Sequence, residues 1–203
     1  PVGTFVNTTA ATSPTDCGIG TFQNQTGQTS CIDAPPGTYI DTTGASSPTD
    51  CSGGTYQPSS GQSSCLDADA GYYVGSTGAS AQTPCSLGTY QPYTGQASCI
   101  SASAGHYVDT TASANQTACA AGTYQPNTGQ SSCIDASAGY YVASTASTGQ
   151  TPCAIGTYQP NTGQSSCLDA PAGTYVDTTG ATSSTDCPVG TYQPNTGQSS
   201  CID

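Results

Sequence analysis

The 203-residue chain contains no lysine, arginine, glutamate, methionine or tryptophan. Each absence excludes something. Without cations no ordinary intrachain salt bridge can form, and the twelve acidic residues, all aspartate, leave a net charge of −12. Nucleic-acid binding needs basic side chains that displace counterions from phosphate, so nucleic acid is excluded as a partner. Anionic membrane surfaces are disfavoured for the same reason. No apolar run approaches the roughly 18 residues of a membrane helix, so membrane insertion is not expected. Large aliphatics are scarce, there are only two phenylalanines, and no stretch has a helical period. Catalytic pairs are missing as well. The single histidine, His106, stands in a column otherwise filled by Thr and Tyr, has no partner base, and reads as surface variation.

By composition alone such a chain would be disordered. Its spacing argues otherwise. Glycine recurs every 17 residues without a gap, at 3, 20, 37, 54, 71, 88, 105, 122, 139, 156, 173 and 190. Two residues later stands an aromatic, Phe5 and Phe22 and then Tyr from Tyr39 to Tyr192. Six residues after each glycine is a hydroxyl: Thr9, Thr26, Thr43, Ser60, Thr77, Thr94, Thr111, Thr128, Thr145, Thr162, Thr179 and Thr196. Gly or Ala follows it. Twelve 17-residue half-units therefore make six 34-residue repeats, bounded as 1–34, 35–68, 69–102, 103–136, 137–170 and 171–203. Neither end carries an atypical capping repeat and the chain has no initiator Met, so a window of a longer array is expected.

The half-units alternate. Those built on Gly20, Gly54, Gly88, Gly122, Gly156 and Gly190 carry Cys three residues before the glycine and eleven after; the others carry neither. Cysteines present together and absent together are most simply bonded to each other. That predicts Cys17–Cys31, Cys51–Cys65, Cys85–Cys99, Cys119–Cys133, Cys153–Cys167 and Cys187–Cys201. The rival register, Cys31–Cys51 and onward, strands Cys17 and Cys201. A second alternation runs three residues after glycine, where bridgeless units have Val or Ile and bridged units have Gln. Burying such a Val is worth about 1.5–3 kcal/mol, and closing each disulfide loop about 3 kcal/mol. Ordering each residue costs about 1–2 kcal/mol, so bridges alone do not hold the array.

Thr-Tyr-Val and Thr-Tyr-Gln favour strands, and Asn-Thr-Gly and Thr-Thr-Gly are turn signals. The expected fold is all-β: small disulfide-rich repeats in an elongated rod or solenoid, with very short strands, two or three per half-unit, and many turns. The Tyr column is expected to form a thin spine with Ile32, Leu66, Ile100, Ile134, Leu168 and Ile202. The extra Tyr72, Tyr93 and Tyr140 are candidates for contact with another chain or a sugar.

Cys-x-x-Gly-Thr-Tyr, a Thr-Gly turn, then Cys fourteen residues after the first resembles the ephrin-receptor-like cysteine-rich repeat. It is also similar to the first half-module of tumour-necrosis-factor-receptor repeats. The ephrin-receptor-like family shows Cys-x-x-Cys in succession; here Ala34, Ala68, Ala102, Ala136 and Ala170 replace the second cysteine, so alternate bridges are dropped. The resemblance implies an extracellular, disulfide-stapled ectodomain without catalytic activity. It also points to arrays of this kind in large surface and appendage proteins of protists and algae.

Oxidising compartments suit so many cysteines, so a cell-surface or secreted location is expected. Asn7-Thr-Thr, Asn24-Gln-Thr and Asn115-Gln-Thr are N-glycosylation sequons. The Thr9-to-Thr196 column is either a ladder of O-glycans or a set of turn caps. Covalent glycans are expected and no cofactor. The column of Asp33, Asp67, Asp135, Asp169 and Asp203, broken at Ser101, supplies one carboxylate per repeat. That is too few for a hard cation within the chain; calcium held between adjacent chains is the residual reading. The leading expectation is a structural segment of a glycosylated extracellular rod or filament that self-associates into a filament or bundle. The alternative is a receptor or adhesin ectodomain that binds a protein or glycan. An ice-binding repeat is a minor third, weakened by the lack of regular Thr-x-Thr pairs.

Overall fold

The computed structural model describes all residues from Pro1 to Asp203. It has no helix, and its strands are each two residues long. The first half-unit pairs β1 (Thr4–Phe5) with β2 (Thr15–Asp16) in antiparallel register, Thr4 opposite Asp16 and Phe5 opposite Thr15. The second pairs β3 (Thr21–Phe22) with β4 (Ile32–Asp33) in the same register. So each half-unit has two strands, at the lower bound of the expected two or three. The last half-unit keeps only a bridge between Tyr192 and Ile202.

A hairpin of two-residue strands is unstable alone, and it is the bonds between units that hold it. Contacts divide the chain into two compact units. The first comprises Pro1–Ser86, Tyr90–Ile100 and Thr111–Asn115; the second comprises Leu87–Thr89, Ser101–Thr110 and Gln116–Asp203.

Within the first compact unit, the Gly3 amide donates to the carbonyl of Gln23 at 2.7 Å and the Gly20 amide to that of Ile40 at 2.9 Å. The Val6 amide donates to Gln28 at 2.9 Å and the Gln23 amide to Ala45 at 3.1 Å. The chain also reaches back two hairpins: the Gly44 amide donates to the Cys17 carbonyl and that of Gly61 to Ala34, both at 2.8 Å. The second compact unit repeats the scheme, with Gly122 to Val142 at 2.8 Å, Gln125 to Ser147 at 3.0 Å and Gly163 to Ala136 at 2.8 Å. Within each compact unit hairpins are thus bonded to those that follow them, the nearest-neighbour logic of a repeat protein.

This close approach explains the unbroken glycine column. Gly122 has φ +90, and a Cβ added there would overlap the carbonyl oxygen of Gly163. No L-residue with a side chain fits that backbone or that space.

The core is narrow. Cys17, Ala34, Cys51, Ala68, Cys85, Ala102, Cys119, Ala136, Cys153 and Ala170, one column at 17-residue spacing, are completely buried. Beside it runs the alternating column of Val or Ile and Gln; from Gln23 to Gln193 every member is buried. The expected spine is therefore corrected. The unit tyrosines are at most half-buried, and Ile32, Leu66, Ile100, Ile134, Leu168 and Ile202 are 41–47% exposed. The backbone layers lie too close for large side chains between them, so the core takes Ala, Cys and one mid-sized column.

Gly122→Ala is expected to lower the free energy of unfolding by about 2 kcal/mol or more, from left-handed strain plus displacement of a backbone carbonyl. Gly149→Ala, where no heavy atom lies within 4 Å of the new Cβ, is the neutral control. Denaturant titration with the disulfides intact measures both.

Candidate functional site

Twelve cysteines form six disulfides: 17–31, 51–65, 85–99, 119–133, 153–167 and 187–201, with Cα separations of 5.7–5.8 Å and no free thiol. Each joins the tightly packed column to a half-exposed cysteine at the end of the next hairpin loop.

The buried glutamines fasten the same loops from inside. The Gln57 Nε2 donates to the Ser64 carbonyl at 2.8 Å and its Oε1 accepts from the Ser59 amide at 3.1 Å. Gln125 does the same with Ser132 at 2.8 Å and Asn127 at 3.1 Å, and Gln193 with Ser200 and Asn195. No buried side-chain polar atom is left without a partner. A buried amide is tolerated because both ends are satisfied.

Bridgeless units close differently. Where the cysteine eleven after glycine is missing, Gln82, Gln116 and Gln150 stand. Their Oε1 atoms accept from the amides of Asp69 at 2.7 Å, Ser103 at 2.7 Å and Ser137 at 2.6 Å. The Nε2 atoms turn to the same residues' side chains, Asp69 Oδ2 at 2.7 Å and Ser137 Oγ at 3.3 Å among them. In the other three bridgeless units the residue two before glycine is Pro1, Pro35 or Pro171, and no glutamine is present. Where proline occupies this place inside the chain, at Pro35 and Pro171, there is no amide hydrogen to satisfy.

Three shallow clefts recur at equivalent places. One is lined by Tyr39, Asp41, Asp50, Ser52, Thr55, Ser63, Ser64 and Cys65 and has a volume of about 350 Å³. The second, about 450 Å³, has Tyr107, Asp109, Thr123, Ser131, Ser132 and Cys133. The third, about 380 Å³, has Tyr175, Asp177, Thr191, Ser199, Ser200 and Cys201. In each, a half-buried Tyr and an exposed Asp of a bridgeless hairpin face the Ser-Ser-Cys end of the following bridged loop. Sequence reasoning missed these clefts. Their trace was present: Asp at the fourth place after glycine in a bridgeless unit occurs at 41, 109 and 177, every 68 residues.

The predicted modification sites are all at the surface. Asn7, Asn24 and Asn115 are exposed, as are all twelve members of the Thr9-to-Thr196 column. None of those twelve hydroxyls takes part in a hydrogen bond; it is the Thr before the aromatic that caps a turn, as in Thr21 Oγ1 to the Gly18 carbonyl at 2.8 Å. His106 is half-buried with Nδ1 3.3 Å from the Ala104 carbonyl. No group of three or more His, Cys or Asp comes together to hold a metal. Tyr93 is 67% exposed, whereas Tyr72 and Tyr140 are half-buried in strands.

Two-strand hairpins, loops closed alternately by disulfide and by other means, and a core of small residues define an all-β cysteine-rich repeat array. The model of the tyrosine-protein kinase ephrin type A/B receptor-like family matches residues 3–51, 71–119 and 139–187, more than two-thirds of the chain. The chain belongs to this family. A search of curated proteins found no match. The family and the six disulfides point to an extracellular or secreted setting.

The equivalence of the two closures makes a prediction. Ala136→Cys with Gln150→Cys is expected to form a seventh disulfide, replacing an amide–amide hydrogen bond by a covalent link worth about 3 kcal/mol. Thiol titration of the folded protein should remain at zero. Gln125→Leu is expected to cost about 2 kcal/mol by stranding the Ser132 carbonyl and the Asn127 amide, read as a lower denaturation midpoint.

Proposed function

We propose that the chain is a structural repeat segment of an extracellular, glycosylated rod or filament, without catalytic activity. One observation carries the reading. Within each compact unit successive hairpins share backbone donors and acceptors through the same recurring bonds, a pattern that lengthens by adding units without a new interface. Loops that face solvent differ little from repeat to repeat, which suits a scaffold better than a surface shaped for one partner.

Two surface features support the finer parts of the reading. The Thr9-to-Thr196 column offers hydroxyls that the fold does not use, at 17-residue intervals. O-linked sugars there, and N-linked sugars on Asn7, Asn24 and Asn115, would coat the array without disturbing a hydrogen bond. The exposed Ile32, Leu66, Ile100, Ile134, Leu168 and Ile202 give each of the six repeats an apolar spot. Lateral association with a second copy would cover such spots, the route to a filament or bundle. The second reading, a receptor or adhesin ectodomain, is favoured by the three clefts.

Intact-mass measurement of native material before and after deglycosylation tests the coat. A mass excess removed by glycosidases supports it, and an unmodified mass eliminates it. Electron microscopy tests the assembly. Filaments or bundles are expected; monodisperse particles that bind a soluble partner would sink the filament reading.

A further inference from the structure

We propose that the clefts at Tyr39–Asp41, Tyr107–Asp109 and Tyr175–Asp177 each bind one neutral sugar ring of a glycan. This goes beyond the scaffold reading and does not depend on it.

The chemistry of the lining selects the ligand. A tyrosine ring presents an apolar face that packs against the C–H face of a pyranose. An aspartate two residues on is an acceptor of charge-assisted hydrogen bonds and fits a pair of neighbouring hydroxyls. The carboxylates of Asp41, Asp109 and Asp177 take part in no hydrogen bond within the chain, and no cation exists to pair with them. Opposite them, Ser63 and Ser64, or their equivalents, supply hydroxyls that both donate and accept. A polyhydroxylated ligand uses all three elements. Volumes of about 350–450 Å³ lie at the small end of the range for ligand sites, about 300–1,000 Å³. One ring fits; the rest of a glycan would project into solvent.

Charge narrows the class further. A chain of net charge −12 with no Lys or Arg repels sialylated and sulfated sugars. A metal ion is disfavoured because the clefts hold one carboxylate, or two at Asp41 and Asp50, and no group of three or more ligating side chains converges. An ammonium ligand is disfavoured because a single tyrosine does not enclose it.

The clefts are also braced on one side by the fold itself. Their serine walls are held from behind by Gln57, Gln125 and Gln193, each 2.8 Å from the carbonyl of Ser64, Ser132 or Ser200. The disulfides at Cys65, Cys133 and Cys201 fix the next residue. Preorganisation of this kind removes an ordering cost from binding. The aspartate, by contrast, is not required by the fold. Other bridgeless units have Asn7, Gly75 or Ala143 at its place and form the same hairpin.

The test uses the deglycosylated, disulfide-intact chain over surfaces carrying neutral hexose, N-acetylhexosamine and pentose oligosaccharides. Sialylated and sulfated glycans and a lysine-rich peptide serve as comparators. Retention on at least one neutral surface, competed by the free sugar, is expected, with none on the anionic surfaces. The triple variant Asp41→Ala, Asp109→Ala, Asp177→Ala should lose retention by about tenfold or more, because charged hydrogen bonds are removed at every cleft at once. Its thermal unfolding should match the parent. Ala143→Asp, which places a carboxylate beside Tyr141 in a unit that lacks one, should raise retention. The proposal is overturned by no retention on any neutral surface, by unchanged retention in the triple variant, or by preferential capture of the lysine-rich peptide.

Discussion

A left-handed glycine lies against the carbonyl oxygen of a residue two hairpins later, and the rest of the architecture follows from that contact. Gly20 meets Gly61 in this way, Gly37 meets Gly78 and Gly122 meets Gly163. The partner residue is itself left-handed, glycine in most units and Ala112 or Ala146 in the others. Because backbone meets backbone, the layers are close, and amide-to-carbonyl bonds between successive hairpins become possible. Because the layers are close, only Ala, half-cystine and one column of Val or Gln fit between them. No hairpin can exist in this form without its neighbours.

Closing the loops is a separate problem, and the chain solves it in three ways. Bridged units use a disulfide. Three bridgeless units use a glutamine amide that accepts from a backbone N–H across the loop, as Gln150 does for Ser137. The remaining three place proline where that N–H would be, at Pro1, Pro35 and Pro171. At the two internal prolines there is no amide hydrogen, so no acceptor is needed, and Pro48 and Ser184 replace the glutamine. Pairing an acceptor with a donor, or deleting both, leaves the backbone at these exposed positions equally provided for.

How much of this could be read from residues alone depended on whether period or partner carried the information. Gly, the aromatic and the Thr-Gly turn recur with a fixed period, and the period specifies the hairpin. Its alternating cysteines marked out the loops that the sulfurs close. The buried glutamines were not legible. Gln is ordinarily a surface residue, and Gln57 is inside only because Ser64 and Ser59 meet both ends of its amide. The tyrosines misled in the opposite sense. An aromatic at every turn of a repeat suggests a spine, but the glycine contact leaves no interlayer gap for a ring, and Tyr56 lies half-exposed beside Leu66. The clefts were invisible for a third reason. A lone Asp after Tyr-Val is an ordinary turn residue until the next loop's serines are placed opposite it.

The frame therefore constrains few positions in each 17-residue unit. Glycine, the third, seventh and fourteenth residues after it, and the loop closure are committed to packing and backbone bonds. The sixth place faces solvent and keeps its hydroxyl, while the fourth place changes without consequence for the hairpin, as Asn7, Gly75, Asp109 and Ala143 show. The proposed glycan acceptor column and the proposed sugar clefts both use places that the packing leaves free. In a chain with no cation, such surfaces recognise through hydroxyls, carboxylates and ring faces rather than through ion pairs. Function can then be written onto the array, or erased from it, by single substitutions that the fold does not register.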